Sequence, residues 1–247
     1  MNKNKTTEVK LKKDICEIKN IQLNDKAATR QAIINYIEKN LILGISNKFI
    51  ERSEWNAKKP KKELSDDWNY TDIVIHHQGN ASFGTECVPV FEVAHSIQNE
   101  HMSGKFDDIG YHYIVACDGQ IAEGRDIRFQ GSHVNENNFH KVGILLTGDY
   151  SERGEVDWKK KKDKKDYLID HLDFFYSSSI PQSQKYACII LIEALLSVFC
   201  IKQLGGHREF ALSNDHRTCP GNVGMQFVTY LRQHFQLSAP RKGKINE

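Results

Sequence analysis

Apolar positions recur along this chain at helical spacing in some stretches and as short β-branched or alternating runs in others. Between Asp25 and Leu43, residues Ala28, Ile33, Ile34, Ile37 and Leu41 recur at near-helical intervals, with Asn24 or Asp25 placed to cap and Gly44 to end a helix. Val90, Val93, Ala94, Ile97 and His101 keep the same spacing over Val90 to Met102. Gln182 to Ile201 carries the strongest helical pattern, and Gly224 to Phe235 the last. Ile73-Val74-Ile75 is instead a short β-branched run that ends in His76 and His77, a strand delivering polar side chains at its tip. Tyr111 to Cys117 alternates, Asp118-Gly119 signals a turn, and Gln120 to Glu123 reads as the returning strand. Val142 to Thr147 is a further apolar strand. Strands interleaved with helices predict an α/β layered domain.

The same pattern divides the chain. Residues 1–47 form an extension, polar and rich in Lys and Asn before its one amphipathic helix. A main domain follows over 48–237, with a charged insertion near 151–180 and a tail at 238–247. One helix cannot bury its own apolar stripe, so the extension is expected to dock on the main domain or on a protein partner. No candidate chemistry falls within it, and removing residues 1–45 is expected to leave activity largely intact.

Composition narrows the classes. The 247 residues are 39% hydrophobic and 10% aromatic, enough for a sizeable core. Lys and Arg outnumber Asp and Glu by only 34 to 32, which gives no reason to expect a nucleic-acid partner. The block Lys159 to Lys162 with Lys164-Lys165 is interleaved with Asp157, Asp163 and Asp166, and reads as a solvated insertion. No apolar stretch approaches the roughly 20 residues of a membrane span. Met1 to Asp14 has lysines without the apolar segment that a secretory signal needs, so the expected location is cytoplasmic, or reached by signal-independent export. The six cysteines are widely spread, with no CxxC pair, and Cys117, Cys188 and Cys200 in apolar surroundings read as buried free thiols. Cys219 differs, lying in the polar turn Thr218-Cys219-Pro220-Gly221.

A catalytic zinc site needs three N, S or O ligands held on rigid backbone, with a fourth position open. His76 at the end of a core strand, His207 after Gly205-Gly206, and Cys219 in its turn are candidates by position. Singly, each is weak.

Their order and surroundings resemble a known family, the peptidoglycan-recognition proteins and amidase-type phage lysozymes. The resemblance runs from about Ile50 to Phe235. It opens with Arg52-Ser53-Glu54-Trp55-Asn56-Ala57 and Pro60, and continues through Ile73-Val74-Ile75-His76-His77 and Ser96-Ile97-Gln98 with His101-Met102. Asp108-Ile109-Gly110-Tyr111-His112-Tyr113, Glu123-Gly124-Arg125, Gly131-Ser132-His133, Asn138 and Val142-Gly143-Ile144 follow. Gly206-His207-Arg208-Glu209 and Cys219-Pro220-Gly221 close it.

The resemblance implies a mixed central β-sheet flanked by helices, with a groove above zinc (Zn2+) held by His76, His207 and Cys219. It implies hydrolysis of the amide between N-acetylmuramic acid and L-alanine in peptidoglycan or muropeptides. The alternative is a non-catalytic peptidoglycan-binding module, but members that only bind usually lack the cysteine. Tyr111 matches the family tyrosine that faces the reacting water. Arg217 stands two residues before the cysteine, where active relatives carry Lys or Thr; Thr218 or His216 is the alternative for that second catalytic role. His77, His112, Arg125 and His133 match groove positions, and Lys105-Phe106 falls where relatives discriminate stem peptides.

Overall fold

The computed structural model describes residues 26–41, 49–79, 87–152, 155, 179–212 and 217–240. The polar start of the extension, most of the Lys-rich insertion, His216 and the end of the tail lie outside them. Helix α1 is Lys26–Asn40, α2 Val90–Ser103, α3 Gln182–Val198, α4 His207–Phe210 and α5 Gly221–Phe235. The strands are β1 (Phe49–Ile50), β2 (Asp72–His77), β3 (Tyr113–Val115), β4 (Ile121–Glu123), β5 (Lys141–Leu146) and β6 (Gln203–Gly206).

The strands form one sheet in the order β1-β4-β3-β5-β2-β6. Only β3 and β4, joined through Asp118-Gly119, pair antiparallel; every other neighbour is parallel, so the sheet is mixed as expected. Strands β5 and β2 are interior, each paired on both sides, which is why both read as largely apolar runs. Alternation then sorts their side chains. Ile73, Ile75, Val142, Ile144 and Leu146 join a core with α1, α3 and α5 on one face. Leu145 and Ile114 meet Val90, Val93, Ala94 and Ile97 of α2 on the other. His76 and Gly143 fall on this second face.

Of the two partners open to the N-terminal helix, the structure chooses the main domain. Ile33, Ile34, Ile37 and Leu41 are buried in the same core as Leu191, Ile192 and Leu195 of α3. Arg30 forks onto the buried Glu123 carboxylate at 2.6 Å through both Nε and Nη2, and Nη2 also reaches Glu51 at 2.8 Å. Tyr36 donates from its hydroxyl to Glu193 at 3.3 Å, and Tyr186 donates to the Asn40 carbonyl at 3.1 Å.

The free-thiol reading fails at two cysteines. Cys117 is joined to Cys87, across 30 residues of sequence, and Cys200 is also disulfide-bonded. Cys188 is a free, buried thiol as expected. Apolar neighbours do not distinguish a buried thiol from a buried disulfide, so the flanking sequence could not reveal the pairing.

Candidate metal centre

The parallel register builds the site. Strand β6 runs alongside β2 with Asp72 opposite Gln203 and Ile75 opposite Gly206, so the next residues, His76 and His207, emerge side by side. Their ring centroids are 4.5 Å apart. His207 opens α4, and Glu209 in the same turn accepts the Gly206 N–H at 2.9 Å and meets Arg232 of α5 at 2.8 Å. Cys219 arrives from the turn before α5, which is tied to α4 by the Arg208 N–H donating to the Cys219 carbonyl at 2.9 Å.

Its sulfur lies 3.7 Å from His76 Nδ1 and accepts the backbone N–H of His77 at 3.5 Å. Among the described residues, His76, His207 and Cys219 form a cluster whose ligand atoms all lie within 4.8 Å of one another. The fit to zinc can be tested on this geometry. Zn–N and Zn–S bonds of the usual lengths at tetrahedral angles separate N from S by about 3.6 Å. The observed 3.7 Å matches that edge.

Burial sets the protonation of both kinds of candidate ligand. Burial holds His76 well below the ordinary histidine range, reinforced by the neighbouring imidazoles, which leaves a neutral ring with a lone pair to give. Burial pushes the Cys219 thiol up to about 12, against the opposing pull of the His77 N–H and the Arg217 and Arg208 guanidiniums. A thiol this buried gives up its proton when a cation takes the proton's place.

Tyr111 follows Gly110 and lies over the cluster, its ring 4.9 Å from that of His76. Burial and the nearby Cys219 raise its hydroxyl above the ordinary phenol range, so it stays a donor. Arg217 is exposed, and its positive charge reaches His76, Tyr111 and Cys219. Thr218 is half-buried beside it, while His216 lies outside the described residues. Phe106 stacks on His101 at 4.6 Å, and His101 in turn lies 5.6 Å from Tyr111, a row of rings leading to the cluster. His101 was not among the expected site residues; only its place on the helical stripe of α2 pointed to it.

Four residues expected to line the groove are buried instead. Arg125 is 5% exposed and donates to the carbonyls of Ile109 at 2.7 Å, Gln130 at 2.7 Å and Asp108 at 3.3 Å, so its guanidinium stitches loops together. His112 is fully buried, with Nδ1 accepting from the Gly143 N–H at 3.0 Å and Nε2 3.0 Å from the Phe129 carbonyl. His77 accepts the Tyr150 N–H at Nδ1, 3.0 Å away. His133 is 8% exposed and lies beneath His76, its Nδ1 3.0 Å from His76 Nε2. Motif position places these residues near the groove, but only packing decides which way they point.

A sequence profile of the Amidase_2 family, N-acetylmuramoyl-L-alanine amidase, matches residues 67–222, more than half of the chain. The chain belongs to this family. His76, His207 and Cys219 all fall inside the matched region. A stretch of 106 residues is 34% identical to peptidoglycan-recognition protein SD of Drosophila melanogaster, covering 42% of this chain and 56% of that relative. The chain thus spans about half the length of the curated relative it matches. Among solved structures, the endolysin N-acetylmuramoyl-L-alanine amidase LysCS of Clostridium intestinale superposes with a TM-score of 0.56 at 21% identity, over 77% of this chain and 97% of that one. Peptidoglycan recognition protein-LE, in complex with tracheal cytotoxin, a monomeric diaminopimelic acid-type peptidoglycan, gives 0.58 at 20% identity, over 77% and 95%. At such identities the likeness is one of fold, and the Amidase_2 fold carries both recognition proteins and amidases.

Proposed function

We propose that this chain is a zinc-dependent N-acetylmuramoyl-L-alanine amidase, cleaving the amide between muramic acid and the stem peptide of peptidoglycan. The observation that carries the reading is the His76, His207 and Cys219 cluster, whose N···S spacing suits tetrahedral zinc, with the Tyr111 ring against it. Bound zinc would act as a Lewis acid and lower the pKa of a coordinated water. His76, His207 and Cys219 would hold it, and the backbone N–H of His77, which already donates to the sulfur, would steady the thiolate formed on binding. Tyr111 keeps its proton and offers it as a hydrogen bond to the oxygen that gains negative charge as the carbonyl is attacked. Arg217 adds a positive charge to the same side and stabilises that oxygen without passing a proton on. Phe106 and His101 provide a flat wall of stacked rings on which a sugar or peptide can lie.

The disulfide-bonded Cys87, Cys117 and Cys200 favour action in an oxidising setting outside the cytosol, where the wall itself lies. The likeness to recognition protein SD favours a second reading, a module that binds wall fragments without cutting them. Mass analysis of purified peptidoglycan, incubated with the protein with and without a chelator, separates the two. Release of intact stem peptides with a free alanine amine, abolished by the chelator, is the expected result. Retention of fragments without cleavage, by protein loaded with zinc, would leave the binding module.

A further inference from the structure

We infer that His133 is a positioning residue for the metal centre, fixing His76 in the one tautomer and ring orientation that presents Nδ1 to the cation. The inference rests on the proposed zinc site but concerns the protein beneath it. His133 is built in rather than merely nearby. Asn138 Oδ1 accepts the backbone N–H groups of His133 at 2.8 Å and Val134 at 2.7 Å, locking the loop that carries it. The ring then lies over two glycines. A Cβ on Gly143 would stand 2.5 Å from His133 Cδ2 and 2.7 Å from Cγ, and one on Gly131 would stand 2.5 Å from Cδ2. All three distances are too short for any real side chain. Gly143 sits mid-strand in β5 opposite Val74, where a glycine weakens a strand and marks close approach by another group. Here that group is the His133 ring.

The hydrogen bonds then assign the protons. His133 Nε2 is 3.4 Å from the Lys141 carbonyl, which can only accept, so Nε2 carries the hydrogen. With the ring hydrogen on Nε2, Nδ1 is left as the acceptor. Its partner 3.0 Å away, His76 Nε2, must be the donor. That leaves the lone pair of His76 on Nδ1, the nitrogen 3.7 Å from the Cys219 sulfur. A ligand imidazole whose far nitrogen donates to a fixed acceptor is oriented and made more basic, and loss of such a partner typically costs roughly 10–100-fold in metal affinity.

The test has two readouts other than turnover. Nitrogen-15 NMR of the metal-free wild-type protein should show His76 protonated on Nε2. Zinc affinity, measured by competition with a chromophoric chelator, should fall roughly 10–100-fold in His133→Leu, which removes the acceptor. Most of it should return in His133→Asn, whose Oδ1 stands where Nδ1 stood. Circular dichroism checks that each variant is folded. A wild-type His76 protonated on Nδ1 overturns the inference, as does a folded His133→Leu protein that binds zinc like wild type. Should His133→Leu fail to fold, the wild-type tautomer decides alone. Should wild-type protein take up no zinc, the proposed function falls, while the tautomer still answers for His133.

Discussion

At the scale of single residues, position in sequence and direction in space must be kept apart. His76, His207 and Cys219 stand 131 and 12 residues apart in sequence, yet converge because one parallel register and one turn bring them together. Their candidacy was legible from residue type and location at the ends of core elements. The directions of Arg125, His112 and His133 were not, because carbonyl partners and the two glycines under His133 are properties of packing. Tyr111 and Arg217 make the sharpest test of the proposed chemistry. Tyr111→Phe keeps the ring on His76 and removes one donor, so turnover should drop on the order of 10²–10³. Arg217→Ala should cost a similar amount, and Arg217→Lys should recover part of it. Turnover on muropeptides, measured beside metal content, checks both, and zinc content should stay at wild-type level throughout. Full activity in Arg217→Ala would move the oxyanion role to Thr218 or His216.

At the scale of elements, the long helices and the apolar strands β2 and β5 follow directly from their spacing, with ends displaced by a few residues. Strand β6 escaped the reading because Gln203-Leu204-Gly205-Gly206 has little strand propensity, and pairing with β2 makes it a strand. The amphipathic stripe of α1 was visible too, but a stripe does not name what covers it. Its burial beside α3 revises the expectation that residues 1–45 are dispensable. Deleting them would expose the core that Ile33, Ile34 and Ile37 cover and leave the buried Glu123 without Arg30. The truncated protein should be markedly less stable, and its loss of activity should track its unfolding. Ile37→Ala is the milder probe. It should cost roughly 2–5 kcal/mol in urea unfolding while leaving zinc affinity in the folded protein unchanged. A truncated chain as stable as the full one would show that α1 is an appendage after all.

Over the whole molecule, the price of a dry metal centre is a set of imidazoles that cannot take protons. Burial lowers His112 from the ordinary 6.5 to about 4, and holds His76 and His133 well below the ordinary range. Below pH 6.5 the unfolded chain binds protons at these rings and the folded chain does not. Each such proton makes stability fall by about 1.4 kcal/mol for every unit of pH lost. The contribution is fully present above pH 6.5 and disappears as the pH drops toward the folded value. For His112 alone, the window from 6.5 to about 4 corresponds to about 3 kcal/mol. Metal-free protein should therefore lose stability steeply between pH 6.5 and 4.5, read as the urea midpoint at fixed temperature. At neutral pH, zinc held at about 100 times its dissociation constant should add about 2.7 kcal/mol, because it binds the folded site and leaves the unfolded chain alone. That increment should shrink on acidification, since protons compete for the same His76, His207 and Cys219 atoms. A urea midpoint that stayed flat from pH 7 to 5 in metal-free protein would mean that these rings already share their protons with solvent, and that the centre is wetter than its packing implies.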